Sequence, residues 1–324
     1  MYTGQVKDED TEKRADSIES MRGEVLRGLR GEHKTLPCKL LYDRRGSKLF
    51  DRICELDAYY PTRTELAIMR RYAGDIAAVI GPRCLLIEYG SGSSLKTQVL
   101  LDHLESPAAY VPMDISREHL HEAAGRIRNR YPQLEVLPVC ADFTRDFDIP
   151  PCRGQVDQRV VYFPGSTIGN FTPAEVAELL ERIAHQVEGG GLLIGVDLKK
   201  DPAILERAYN DEEGVTAAFN LNVLSHINDA LDVDIDVSSF EHKAIYNPDR
   251  GRVELYLVSH SDQVVDFGDE EIAFNSGDSI HTEYSHKFSL EGFERIAGEA
   301  GLRVESVWMD DDRLFSVQFL TSVR

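Results

Sequence analysis

Glu88-Tyr89-Gly90-Ser91-Gly92-Ser93 ends one apolar run, and two acidic residues, Asp114 and Asp142, end the next two. Glycines where a strand meets a helix let the backbone turn tightly and approach a ligand more closely than any side chain allows. Asp114 lies 24 residues after Gly90, a spacing at which a carboxylate accepts hydrogen bonds from both hydroxyls of an adenosine ribose. Asp142 can accept from an adenine amine while Phe143 covers the base face. Leu95 stands where a dinucleotide fingerprint has its third glycine, and Lys96-Thr97 lacks the glycine that precedes the lysine of a phosphate loop. Each acid alone reads equally well as a solvated loop carboxylate. Together, on consecutive strand ends, they describe an adenosyl site without phosphate ligands, which S-adenosylmethionine fits best.

The elements that must position these residues alternate. CLLIEYG (84–90), AYVPMDIS (109–116), LEVLPVCADF (134–143), RVVYFPGSTIGNF (159–171) and LLIGVDL (192–198) read as strands. Helical patterns such as SLKTQVLLDHL, REHLHEAAGRIRNRY and TPAEVAELLERIAHQV stand between them, the last opening on the cap-like pair Thr172 and Glu175. Five strands alternating with helices predict a parallel, doubly wound sheet with ligands at its carboxyl edge. From Lys199 to about Lys287 the alternation stops, and helical segments give way to the strand-like FEHKAIYN and RVELYLVSHS. The interrupted pattern resumes with SLEGFERIAGEAGL, then RVESVWMD and LFSVQFLTSV around the short turn 310–313, a closing antiparallel hairpin. The expected division is therefore 61–198 plus 287–324 for the cofactor domain and 1–60 plus 199–286 for a second, α+β domain that binds substrate.

Composition narrows the class. The chain has 324 residues and a net charge of −20, which repels a polyanion at long range, so no nucleic-acid partner is expected. No apolar stretch approaches a membrane span, and the amino terminus lacks a signal-like apolar core. A cytoplasmic protein with no membrane partner is expected. The five cysteines show neither C-x-x-C nor zinc spacing, and the ten histidines show no H-E-x-x-H. Reduced thiols and no metal are the expectation.

Several separated blocks carry a resemblance: LYDRRGSKLFDRICELDAYYPTRTE, IEYGSGSSLKT, VPMDIS, ADF, FPGSTIGNF, RAYND followed by GVTAAFN, and HTEYSHKF. From about Leu36 to the carboxyl terminus the chain resembles the histidine Nα-methyltransferases of ergothioneine biosynthesis, which trimethylate the α-amine of L-histidine to hercynine. The resemblance implies a Rossmann-like class I methyltransferase sheet, mostly parallel. It also implies S-adenosylmethionine as methyl donor, released as S-adenosylhomocysteine, L-histidine as the small-molecule partner, and a monomer.

Position by position, Gly90, Lys96, Asp114, Asp142 and Phe143 match the cofactor-binding residues, with Gly92 beside them in the loop. Tyr42, Phe50 and Tyr59 match aromatic positions of the substrate cavity, Tyr42 beside the reacting amine. Asn170 and Tyr209 match the pair that binds the α-carboxylate, and Glu283 and Ser285 the pair that reads the imidazole. Gly165 and Thr216 fall near the bound substrate. With an ordinary pKa of about 10, Tyr42 is assigned orientation of the amine and not proton removal.

On spacing alone, Glu283 and Ser285 share a strand face and could merely be solvated. His286 and Lys287 are expected in structural or surface roles, and Tyr89 and Tyr284 away from the ligands. Leu255 stands where the family often has methionine, an expected change of shape beside the imidazole. Three rivals remain: a methyltransferase for another aromatic amino acid such as tryptophan, a non-catalytic histidine or adenosyl-ligand sensor, and an NAD-dependent oxidoreductase. The last is disfavoured by the missing glycine.

Overall fold

The computed structural model describes residues 18–92 and 95–323; Ser93 of the glycine loop and the first 17 residues of the amino-terminal segment lie outside these. Strands β2 (Cys84–Tyr89), β3 (Ala109–Asp114), β5 (Gln158–Phe163) and β6 (Gly191–Asp197) are almost entirely buried, as near-continuous apolar runs must be when helices cover both faces of a parallel sheet. With β4 (Val139–Cys140), β12 (Leu302–Met309) and β13 (Phe315–Ser322) they form a seven-stranded sheet in the order β12-β13-β6-β5-β2-β3-β4. Neighbouring strands from β6 to β4 pair in parallel. The closing hairpin is antiparallel, β13 lying between β12 and β6. One face packs on helices Pro173–Gln186 and Leu290–Glu299, the other on Tyr60–Ile80, Leu95–Leu101 and Arg117–Arg130. Thr172 and Glu175 form the expected capping box.

The third strand is shorter than its apolar run. Only Val139–Cys140 and an isolated Tyr110–Val136 bridge pair with β3, because Pro138 supplies no N–H and interrupts the edge ladder.

A second core joins residues from Val25 to Tyr60 with residues from Leu205 to Ile280. Its sheet runs β1 (Lys34–Thr35), β11 (Ser279–His286), β8 (Arg252–Ser259), β7 (Phe240–Asn247). Helices Pro202–Tyr209 and Val215–Leu231 pack with it. A hairpin, β9 (Gln263–Asp266) with β10 (Glu271–Phe274), adds two strands that the sequence pattern did not reveal. Polypeptide leaves the large sheet after β6 and returns beside its own exit: Leu198 bridges Phe288, the Phe288 N–H donates to the Asp197 carbonyl at 3.0 Å, and the Lys199 N–H to the Phe288 carbonyl at 2.9 Å.

β11 carries the feature that builds the site. Its register against β8 shifts between His281 and Glu283, a bulge in which one extra residue re-aims the strand. Ile280 and Thr282 are buried before it, Glu283, Ser285 and Lys287 after it. Against this strand lies the 3-10 turn Thr167–Asn170. A Cβ on Gly169 would come 2.8 Å from the His286 carbonyl oxygen and 3.1 Å from its nitrogen, so glycine sets how closely the turn sits. Gly169→Ala is expected to destabilise the fold by about 1–3 kcal/mol through overpacking, seen as a lower denaturation midpoint in urea with an unchanged slope.

Candidate active site

One cavity lies where the two sheets meet, with about 400 Å³ of empty space that includes some open to solvent. Tyr42, Phe50, Tyr59, Gly165, Asn170, Tyr209, Glu283 and Ser285, eight of the nine expected substrate-side positions, line it. Thr216 does not; it is buried at the start of helix Val215–Leu231, where its N–H donates to Asp211 Oδ1 at 2.8 Å. Tyr42, Phe50 and Tyr59 form an edge-to-face aromatic wall, with Tyr42–Phe50 centroids 5.6 Å apart and Phe50–Tyr59 centroids 6.3 Å apart. Tyr42 also packs edge-on against Phe219 at 5.4 Å. Leu255, directly across the strands from Glu283, points into the core and not into the cavity.

The polar groups of the cavity are paired with one another. Asn170 Nδ2 donates to Glu283 Oε1 at 2.9 Å, and the Tyr42 hydroxyl donates to the same oxygen at 3.4 Å, which leaves Oε2 for a ligand. Burial pushes the Glu283 carboxyl up to about 7. Burial, and then the neighbouring Glu283, hold the Tyr42 phenol well above its usual value, so Tyr42 is a donor and not a base. Tyr209 and Ser285 hydroxyls lie 2.7 Å apart.

Residues that the sequence pattern did not single out complete the wall. Asp197 ends β6 and is 1% exposed. It receives the Tyr60 hydroxyl at 2.7 Å, Lys200 at 2.5 Å and Lys287 at 2.8 Å. Burial pushes its carboxyl up, but the two ammonium groups more than offset this and leave it below the usual range. Lys287, expected in a structural or surface role, is buried and reaches the cavity wall. The strand-end logic that picked out Asp114 and Asp142 would have found Asp197. Alternation from Glu283 and Ser285 groups Lys287 with them, and the bulge turns that face toward the cavity.

On the cofactor side, Gly90 and Gly92 adopt positive φ, 73° and 38°. The Gly90 and Ser91 N–H groups donate to the Met113 carbonyl at 2.9 and 3.0 Å, which lays the loop across the end of β3. Among the described residues nothing lies within 4 Å of where a Gly90 Cβ would be, which suits close backbone approach by a ligand. Glu88 pins the loop from below: it accepts from Thr97 Oγ1 at 2.6 Å and from the Tyr110 hydroxyl, and burial pushes it up to about 7. Asp114 Oδ1 accepts the Ser116 N–H at 2.9 Å, and burial raises its carboxyl. Asp142 Oδ1 accepts the Thr144 N–H at 2.9 Å. Phe143 stacks on Tyr89 with centroids 5.1 Å apart and planes at 14°. Tyr89, expected away from the ligands, is thus the platform that carries Phe143.

Lys96 connects the two halves. It pairs with Glu65, a carboxylate on helix Tyr60–Ile80 with no exposure, whose oxygens also accept the Gly165 N–H at 3.0 and 3.1 Å. A Cβ on Gly195 would strike this carboxylate at 2.4 Å, so glycine in β6 makes room for it. One buried acid therefore ties the helix after the glycine loop to the cavity floor.

An open sheet of this order, with an antiparallel closing hairpin, a glycine turn after β2 and acids after β3 and β4, has the Rossmann-like form expected of a class I methyltransferase. The family model described as histidine-specific, SAM-dependent methyltransferase matches residues 21–322, and the chain belongs to that family. It is 43% identical over 303 residues to the histidine N-alpha-methyltransferase of Mycolicibacterium smegmatis, covering 91% of this chain and 93% of that one. The enzyme of the same name from Mycobacterium tuberculosis is 40% identical over 298 residues, covering 90% and 92%. Ergothioneine biosynthesis protein 1 of Neurospora crassa is 31% identical over 283 residues, covering 85% of this chain and 32% of that one.

Because burial raises Glu283 from 4.5 to about 7, the folded state keeps a proton that the unfolded chain releases as pH rises between those values. Stability from this group is therefore lost on going from pH 4.5 to 7. Glu283→Gln retains an acceptor and removes the charge. Its unfolding free energy, from urea denaturation, is expected to exceed the parent's at pH 8 by an amount on the order of 3 kcal/mol or less, with the difference vanishing near pH 4.5; a difference independent of pH contradicts the assignment.

Proposed function

We propose that the protein transfers three methyl groups in succession from S-adenosylmethionine to the α-amine of L-histidine, giving hercynine, the first step of ergothioneine biosynthesis, and releasing S-adenosylhomocysteine each time. The observation that carries this reading is the facing of Glu283 and Ser285 into one cavity with Asn170, Tyr209 and an aromatic wall, in a chain of this family. Glu283 Oε2 takes a ring N–H, and Ser285 faces the other ring nitrogen. Asn170 Nδ2 and the Tyr209 hydroxyl serve the α-carboxylate, and Tyr42 orients the amine.

The residues after β2, β3 and β4 suit an adenosyl group. Asp114 receives ribose hydroxyls, Asp142 the adenine amine, and the Phe143–Tyr89 stack offers a flat apolar face. S-adenosylmethionine, when bound, supplies an electrophilic methyl group. The protein's part is to hold the amine lone pair in line and exclude water, since positioning supplies most of the acceleration in such a displacement. Residues 61–198 plus 287–324 act as the cofactor unit, and 1–60 plus 199–286 as the substrate unit. A charge of −20 argues against nucleic-acid and anionic membrane partners, and we read the protein as a cytoplasmic monomer.

Incubation with L-histidine and S-adenosylmethionine is expected to give, by mass spectrometry, a product heavier by three methyl groups; unmodified histidine after prolonged incubation rejects the reading. Glu283→Ala is expected to lower kcat/KM for histidine by about 100-fold or more while cofactor affinity is retained. Asp114→Ala should do the reverse, and calorimetric titration of S-adenosylhomocysteine into both variants separates the two roles.

A further inference from the structure

Lys287 Nζ lies 2.8 Å from Asp197 Oδ2, 2.9 Å from the Tyr209 hydroxyl and 2.6 Å from Ser285 Oγ. An ammonium has three N–H donors and no acceptor, so each donor is taken by one of these oxygens. Both hydroxyls thus accept from Lys287. They lie 2.7 Å apart, and one donates to the other, which leaves one O–H for the cavity. A ligand bringing two acceptors has only that Tyr209–Ser285 bond to break: both oxygens stay held by Lys287, and both protons turn toward the ligand.

We propose that Lys287 is a positioning residue that makes Tyr209 and Ser285 obligate hydrogen-bond donors, so that this end of the cavity accepts a carboxylate oxygen and an unprotonated ring nitrogen. The opposite end has the complementary character. Glu283 Oε1 is occupied by Asn170 and Tyr42, and Oε2 takes a ligand N–H. Two residues apart on β11, Glu283 and Ser285 share a strand face and line the same cavity, so one planar ring can bond to both. The pattern fits a neutral imidazole, with one N–H and one bare nitrogen, and disfavours an imidazolium with two donors. Charge agrees at the carboxylate end, where Asp197 faces two ammonium groups, Lys287 and Lys200, an excess of positive charge suited to an anion.

This inference rests on the histidine reading and is tested separately from it. Lys287→Met keeps an unbranched apolar stem and removes all three donors. Its calorimetric affinity for L-histidine is expected to fall about 10- to 100-fold, with affinity for S-adenosylhomocysteine unchanged. Ser285→Ala is expected to weaken histidine binding in the parent but to add little in the Lys287→Met background. Additive losses, or equal loss of both ligands, overturn the proposal. If Lys287→Met does not fold, the unaltered protein decides: an alanine bearing a pyrrole ring, with an N–H but no bare nitrogen, is expected to bind about tenfold or more weakly than histidine, and equal affinity overturns the proposal. A protein that methylates histidine yet gives these contrary results sinks only this inference. One that never methylates histidine sinks the proposed function itself.

Discussion

The buried ion pair between Asp197 and Lys287 is the interaction on which the site depends. Asp197 ends strand β6 of the large sheet, and Lys287 follows β11 of the small one, so the pair joins the sheets where the chain leaves one and returns from the other. Removing two charges from water is costly unless every lone pair and proton is satisfied. Here it is satisfied by Tyr60, Lys200, Tyr209 and Ser285. The groups that compensate the buried charges are also cavity groups, which makes the stability of the junction and the polarity of the site two aspects of one arrangement.

Two backbone devices deliver the remaining groups. The bulge in β11 moves its buried set onto Glu283, Ser285 and Lys287; without the extra residue, strand alternation would send them to the outer face. On that outer face Tyr284 lies under the Arg252 guanidinium, 3.6 Å from its ring centroid. Gly169 brings the 3-10 turn close enough for Asn170 to reach Glu283. Glu65 does the corresponding work below the cavity, where a single carboxylate holds Lys96 and the Gly165 N–H together.

Much of this was legible in the amino-acid pattern. Continuous apolar runs with glycine and acids at their ends specify a parallel sheet and its carboxyl-edge site, because both depend on local period and composition. Eight of the nine substrate-side positions that the resemblance implies line one cavity. Illegible were features fixed by tertiary packing. Pro138 cut the third strand, the β9–β10 hairpin has a Gly268-Asp269 turn but only short strands on either side, and nothing in the local sequence around Lys287 shows the distant Asp197 with which it pairs. Thr216 is buried in the first turn of helix Val215–Leu231 and does not line the cavity.

The central claim is that one cavity holds an imidazole between Glu283 and Ser285 while an adenosyl group occupies the strand ends beyond Lys96. A crystal structure of the protein with L-histidine and S-adenosylhomocysteine tests it most directly. The expected density places a ring N–H on Glu283 Oε2, the bare ring nitrogen on Ser285 Oγ, and the α-amine turned toward the cofactor's sulfur. Histidine lodged elsewhere, or with its ring away from β11, would contradict the assignment.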